Sequence, residues 1–88
     1  MFSRDVVVLN KQGIHARPSS QFVKMAGRFT CEVLVEKDGE QINGKSIMGL
    51  LMLAAGPGSQ LKIICNGEGA EKALEELVAL IQAKFGEE

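Results

Sequence analysis

The sequence predicts an α+β domain in which four strands and three helices follow the order βαββαβα. They would pack as an open-faced two-layer β-sandwich, a four-stranded antiparallel sheet with three helices on one face. Three observations carry this expectation. A chain of 88 residues has room for a single core layer. Asp38-Gly39 stands between strand-like runs, a strong signal for a short hairpin. The last third of the chain repeats apolar residues at helical spacing.

Each element has its own reason. Phe2 to Leu9 is rich in Val and reads as a strand, followed by a polar loop from Asn10 to Ile14 that contains Gly13. From Ala16 to Gly27, Phe22, Val23 and Ala26 share one helix face, and Gly27 suits the stop. Cys31 to Glu36 mostly alternates, and Gln41 to Asn43 returns from the hairpin. Ser46 is a natural N-cap for a short helix from Ile47 to Ala55, closed by Gly56-Pro57-Gly58. Gln60 to Asn66 alternates Leu61, Ile63 and Cys65 with Gln60, Lys62 and Ile64 as the fourth strand. Ala70, Ala73, Leu74, Leu77, Val78, Ile81 and Phe85 then line one side of the last helix, opposite Glu71, Glu75 and Gln82. No repeat or linker divides residues 1–88, so they are read as one domain.

Composition excludes several function classes. Phe is the only aromatic residue, which weakens a nucleic-acid reading built on base stacking, and a net charge of −1 argues against a phosphate-backbone binder. Its longest apolar run, Ile47 to Ala55, falls well short of the ~20 residues a membrane span needs. No secretory signal opens the sequence, and two cysteines are too few for a disulfide scaffold, so a cytoplasmic setting is expected. The charge is uneven: residues 1–30 sum to +4, residues 31–67 to −1 and residues 68–88 to −4. The basic end could meet an acidic partner or an anion, whereas the glutamates read mostly as a solvated helix face. Cys31 and Cys65 fall on apolar strand faces and read as core residues. Together with His15 they lack the close ligand spacing of a structural zinc site, and no metal or cofactor is expected.

Chemistry concentrates in Gly13-Ile14-His15-Ala16-Arg17-Pro18-Ser19-Ser20. The single histidine stands where a glycine-containing loop turns into a helix, and Pro18 fits the first turn. Free N–H groups and the positive end of the helix dipole make such a start an anion site, and the Arg17 guanidinium suits phosphate oxygens. A neutral imidazole is a nucleophile near pH 7 and can take a phosphoryl group on a ring nitrogen. By position alone, a histidine that merely caps the helix or sits at the surface remains an alternative.

The Ile47–Ala55 helix carries a second signal. Leu50, Leu53 and Ala54 suffice as a core face, yet Ile47, Met48, Leu51 and Met52 are apolar as well. An extra-buried helix under a loop would account for this. In a fold with one core layer, a partly exposed docking patch is the better account, and Met suits several partners.

The run Gly13-Ile14-His15-Ala16-Arg17-Pro18 resembles the active-site signature of the HPr family, the histidine-containing phosphocarriers of the bacterial phosphoenolpyruvate-dependent phosphotransferase system. A second signature, Lys45-Ser46-Ile47-Met48-Gly49-Leu50, and the element order extend the resemblance over essentially the whole chain. It implies that His15 takes a phosphoryl group on Nδ1 from enzyme I and gives it to an enzyme IIA-type acceptor. Arg17 would contact the phosphoryl group and partner carboxylates, and the Ala16 and Arg17 backbone N–H groups would help to hold the anion. Ser46 would be the target of an HPr kinase/phosphorylase, and Ile47 and Met48 would lead the docking patch. Enzyme I uses magnesium in this family, but the carrier needs no cofactor, and a carrier that meets several partners is expected to be a monomer.

Ser19 stands where the family often has Ala. Leu50-Leu51-Met52-Leu53 and the ending Lys84 to Glu88 resemble the nitrogen-related branch, whereas Lys45 to Gly49 resembles sugar-branch and kinase-regulated members. The leading expectation is therefore a phosphoryl carrier that turns over no substrate alone. The chain lacks a P-loop, and no acid–base partner near His15 is apparent for a hydrolase. The alternative is a regulatory module whose Ser46-phosphorylated form binds a transcription factor or an enzyme.

Overall fold

The computed structural model describes residues 1–87 and follows the predicted order. Strands β1 (Phe2–Val7), β2 (Glu32–Lys37), β3 (Glu40–Asn43) and β4 (Gln60–Asn66) form one antiparallel sheet in spatial order β1-β4-β2-β3. Helices α1 (Ala16–Ala26), α2 (Ile47–Met52) and α3 (Ala70–Gln82) make the second layer. Helix α3 lies on β1 and β4, α1 packs against both α2 and α3, and α2 reaches β3.

Register explains which side of the sheet is buried. Val6 stands opposite Leu61, Val33 opposite Cys65 and Val35 opposite Ile63, and all six side chains face the helices in one core. Phe22 and Ala26 of α1, Leu50 of α2 and Leu77 and Ile81 of α3 fill it from above. On the other face Lys62 lies opposite both Asp5 and Glu36, so that side is largely polar. The predicted hairpin is present, with Lys37 opposite Glu40 and both turn residues at positive φ, Asp38 at 52° and Gly39 at 82°.

Three boundaries differ from the sequence expectation by two residues or more, and those of α1, β2 and β3 by one. Strand β1 stops at Val7, although Val8 still exchanges backbone bonds with Ser59 and Gly58. Helix α2 ends at Met52, and Ala54 adopts φ 53°. That left-handed residue turns the chain, so Ala54, expected on the core face, is exposed and Ala55 is buried instead. Helix α3 ends at Gln82, before a 3₁₀ turn at Lys84–Gly86. Phe85 is buried as its spacing implied, but a φ of 56° rather than helix continuity returns it to the core. Glu88, counted with the acidic end and with the branch-like ending, lies outside the described residues.

The turn at Ala54 positions the loop ahead of α1. Ala55 O accepts from Ile14 N–H at 2.8 Å, and buried Ile14 anchors the loop in the core. Gly13 makes this approach possible: its φ is 69°, and a Cβ there would stand 2.4 Å from Ala55 O and 2.7 Å from Gly56 Cα. Gly39 shares the positive φ, but a Cβ there would meet nothing within 4 Å. Denaturant unfolding should therefore show Gly39→Ala losing about 1 kcal/mol, the backbone cost alone. Gly13→Ala should lose clearly more, at least about 2 kcal/mol, and equal losses would contradict the close approach.

Cys31 and Cys65 are free, buried thiols. Burial pushes the Cys65 thiol from 9.0 up to about 11, with a further push from the neighbouring Cys31. An acid whose folded value is raised keeps its full contribution to stability below its unfolded value and loses it above. Stability measured against pH should thus decline from about pH 9 towards 11, and Cys65→Ala should flatten that decline.

Candidate functional site

His15 is the N-cap of α1, with extended backbone (φ −99°, ψ −165°), and its side chain makes no capping bond. The ring is therefore not spent on the helix it introduces. Ala16 and Arg17 N–H have no backbone acceptor among the described residues, and Pro18 has no N–H to place. Ser19 N–H is the first to bond, to His15 O at 3.0 Å. Two donors thus remain free at the positive end of an eleven-residue helix, the arrangement that favours an anion.

Lys11, Gln12, His15, Arg17 and Glu87 line an open cleft of about 310 Å³ at this helix start. Ala16 and Arg17 are exposed, and Arg17 forms no ion pair among the described residues. Ser19 is fully buried, and its hydroxyl finds no partner among the described residues. An alanine would avoid that cost.

Glu87 is the residue that sequence reasoning missed. Its Oε2 lies 3.1 Å from His15 Nε2, with side-chain exposures of 23% and 34%. Its Oε1 accepts from Asn10 Nδ2 at 3.0 Å, and the same Nδ2 donates to Gly13 O at 2.6 Å. Asn10 is itself fully buried, with Oδ1 unpaired among the described residues. The expectation that no acid–base partner stands near His15 is thereby corrected: 72 residues along the chain, the fold supplies a carboxylate. The separation removes any short-range pattern that could have signalled it. The one available hint was the opposite charge of the two chain ends, which meet here instead of lying apart.

The second signature folds as a separate feature. Ser46 caps α2, its Oγ accepting from Gly49 N–H at 3.0 Å, and it does not line the cleft. Lys45 Nζ donates to Phe29 O at 2.7 Å. Leu50 and Leu53 are buried, whereas Ile47 and Leu51 are exposed and Met48 and Met52 retain 70% and 72% of their surface. The apolar excess of α2 thus faces solvent, on a helix that packs against α1. Cys31 and Cys65 lie in the core and are not brought to His15. Among the described residues no His, Cys, Asp or Glu cluster could hold a metal ion, and no helix is long and apolar enough to cross a membrane.

Comparison with known proteins gives the family and the fold. The family profile described as PTS HPr component phosphorylation site matches residues 2–83. The phosphocarrier protein HPr of Cupriavidus necator is 42% identical over 87 residues, covering 99% of this chain and 98% of that protein. The crystal structure of HPr-C-His from Thermoanaerobacter tengcongensis superposes with a TM-score of 0.97 at 42% identity, covering 100% of this chain and 99% of that one. Crh, the catabolite repression protein of Bacillus subtilis, is 45% identical with a TM-score of 0.77, covering 96% of this chain and 97% of that one. That crystal structure is a dimer with a swapped domain, so the expected monomeric state is not a trait shared by every such relative. A matched family profile, an open-faced βαββαβα sandwich and a histidine at the head of α1 lead to one conclusion: this chain belongs to the HPr family of phosphocarrier proteins of the phosphotransferase system.

Proposed function

We propose that the chain accepts a phosphoryl group on His15 from phosphorylated enzyme I and passes it to enzyme IIA-type acceptors in the cytoplasm. The observation that carries this reading is the half-exposed imidazole beside two unbonded helix-start N–H groups and the Arg17 guanidinium, in a cleft open to a partner. Nδ1 attacks with its lone pair as the bond from phosphorus to the donor breaks, and the onward acceptor reverses the step. Ala16 and Arg17 N–H and the guanidinium take the phosphoryl charge, with Lys11 on the cleft wall adding to it. The chain supplies one half of each transfer and the partner the other, so it turns over no substrate alone and needs no cofactor.

Docking falls to Ile47, Met48, Leu51 and Met52, whose exposed side chains form an apolar patch on the helix next to α1. Ser46 stands immediately before that patch. A phosphate there, added by an HPr kinase/phosphorylase, would place about −2 charges where an apolar partner surface must be desolvated, and docking would weaken. Likeness to Crh and the exposed setting of the patch beside Ser46 favour a second reading: a regulatory module recognised by a transcription factor or an enzyme in its Ser46-phosphorylated form. A monomer in solution fits a carrier that must release each partner in turn.

Intact-protein mass after incubation with phosphoenolpyruvate, magnesium and an active enzyme I should rise by one acid-labile, base-stable phosphoryl group, and His15→Ala should gain none. No gain in the parent chain would leave the regulatory reading, with Ser46 as the residue to test with ATP and kinase. Met48→Asp should slow transfer about tenfold while leaving the thermal midpoint within a few degrees of the parent. Unfolding of this variant would instead place Met48 in the core.

A further inference from the structure

We infer that Glu87 selects the imidazole nitrogen of His15 that receives the phosphoryl group, acting as a positioning residue, an assignment that rests on the carrier reading above. An ionised carboxylate offers lone pairs and no proton. With Oε2 at 3.1 Å, Nε2 must therefore carry the hydrogen for the contact to be attractive. A neutral imidazole has one N–H, so the lone pair is left on Nδ1. Because His15 makes no capping bond, that lone pair is not spent on the helix start, and the Ala16 and Arg17 N–H groups stay available for the incoming anion.

Two supports hold the carboxylate in place. Asn10 Nδ2 donates to its other oxygen at 3.0 Å, and Asn10 is fixed in turn by burial and by Gly13 O at 2.6 Å. From behind, Glu87 N–H closes the 3₁₀ turn on Lys84 O at 2.8 Å, and buried Phe85 anchors that turn. Lys84 and Phe85 both hold φ near +57°, a conformation that costs about 1–2 kcal/mol per non-glycine residue. Packing of Phe85 and the bonds to Glu87 offset that cost, which ties the chain end to the ring.

The transfer step balances without a general base. The bond between donor and phosphorus breaks with its electron pair returning to the donor, and the Nδ1 lone pair forms the new N–P bond. Nε2 keeps its hydrogen throughout, so the ring becomes cationic while Glu87 Oε2 stands 3.1 Å away. The carboxylate thus meets positive charge as it develops, on the ring nitrogen that does not carry the anion.

Nitrogen NMR of the His15 ring at alkaline pH, where imidazole is neutral, together with the rate of phosphoryl acceptance from enzyme I, tests this in the full chain and in Glu87→Ala. The amide spectrum serves to check that both are folded. The expected result is an Nε2–H tautomer in the parent, a mixture of tautomers in Glu87→Ala and an acceptance rate about tenfold lower. A parent ring that is mixed or protonated on Nδ1 would overturn the inference. So would an unchanged tautomer in Glu87→Ala at any rate, or a changed tautomer with an unchanged rate. A second variant, Met48→Asp, should slow acceptance without moving the tautomer, and a shifted tautomer there would count against a local role for Glu87. If the parent accepts no phosphoryl group from an active enzyme I, the carrier reading fails and the inference falls with it.

Discussion

Gly13 and the Ala55–Gly56 backbone approach so closely that no side chain fits between them, and much of the site hangs on that contact. The hydrogen bond from Ile14 N–H to Ala55 O joins the loop before α1 to the chain leaving α2. It sets where α1 starts, and so where His15 and the free N–H groups of its first turn stand. The approach requires two left-handed residues, one on each side. Gly13 adopts that conformation at no steric cost, whereas Ala54 does so at a cost that burial of Leu53, Ala55 and Ile14 offsets. Asn10 reinforces the loop by bonding Gly13 O, and through the same amide nitrogen it holds Glu87.

Sheet and helices divide their labour around this point. Alternation along β2 and β4 buries Val33, Val35, Leu61, Ile63 and Cys65 against the helices and leaves the other face largely polar, apart from Leu34 opposite Ile64. With one core layer, a six-residue helix cannot bury its whole circumference. Leu50 and Leu53 meet the core, and the remaining apolar side chains of α2 stay in solvent. Exposure of large apolar groups is ordinarily avoided, and its presence beside α1 is the observation behind the proposed docking of partners there. The two Met side chains in this patch are long and flexible, which would let them repack against surfaces of different shape.

Charge follows a related logic. An anion in this cleft would gain from the Arg17 guanidinium and the helix start, yet a carboxylate stands there as well. The conflict is resolved by geometry, since Glu87 engages Nε2 and leaves the other ring nitrogen and the Ala16 and Arg17 N–H groups free. Opposite charges placed at the two ends of the sequence thus come together across the fold. Most of the acidic helix face, including Glu71 and Glu75, remains solvated.

Local patterns made much of this legible in advance. Period-two alternation marked β2 and β4, Asp38-Gly39 marked the hairpin, and the spacing from Ala70 to Ile81 marked α3, because each depends on neighbours a few residues apart. His15 and Arg17 were legible for the same reason, as a loop-to-helix junction within eight residues. The ends of α2 and α3 were not, since the left-handed turns at Ala54, Lys84 and Phe85 are imposed by packing on residues with no preference for them. Glu87 lay beyond reach altogether. By itself the sequence determined the order of elements, most of the buried faces and the candidate nucleophile, all matters of local chemistry. Only the tertiary structure decided which carboxylate meets the ring, because a hydrogen bond across 72 residues exists solely where packing brings both chain segments to one place.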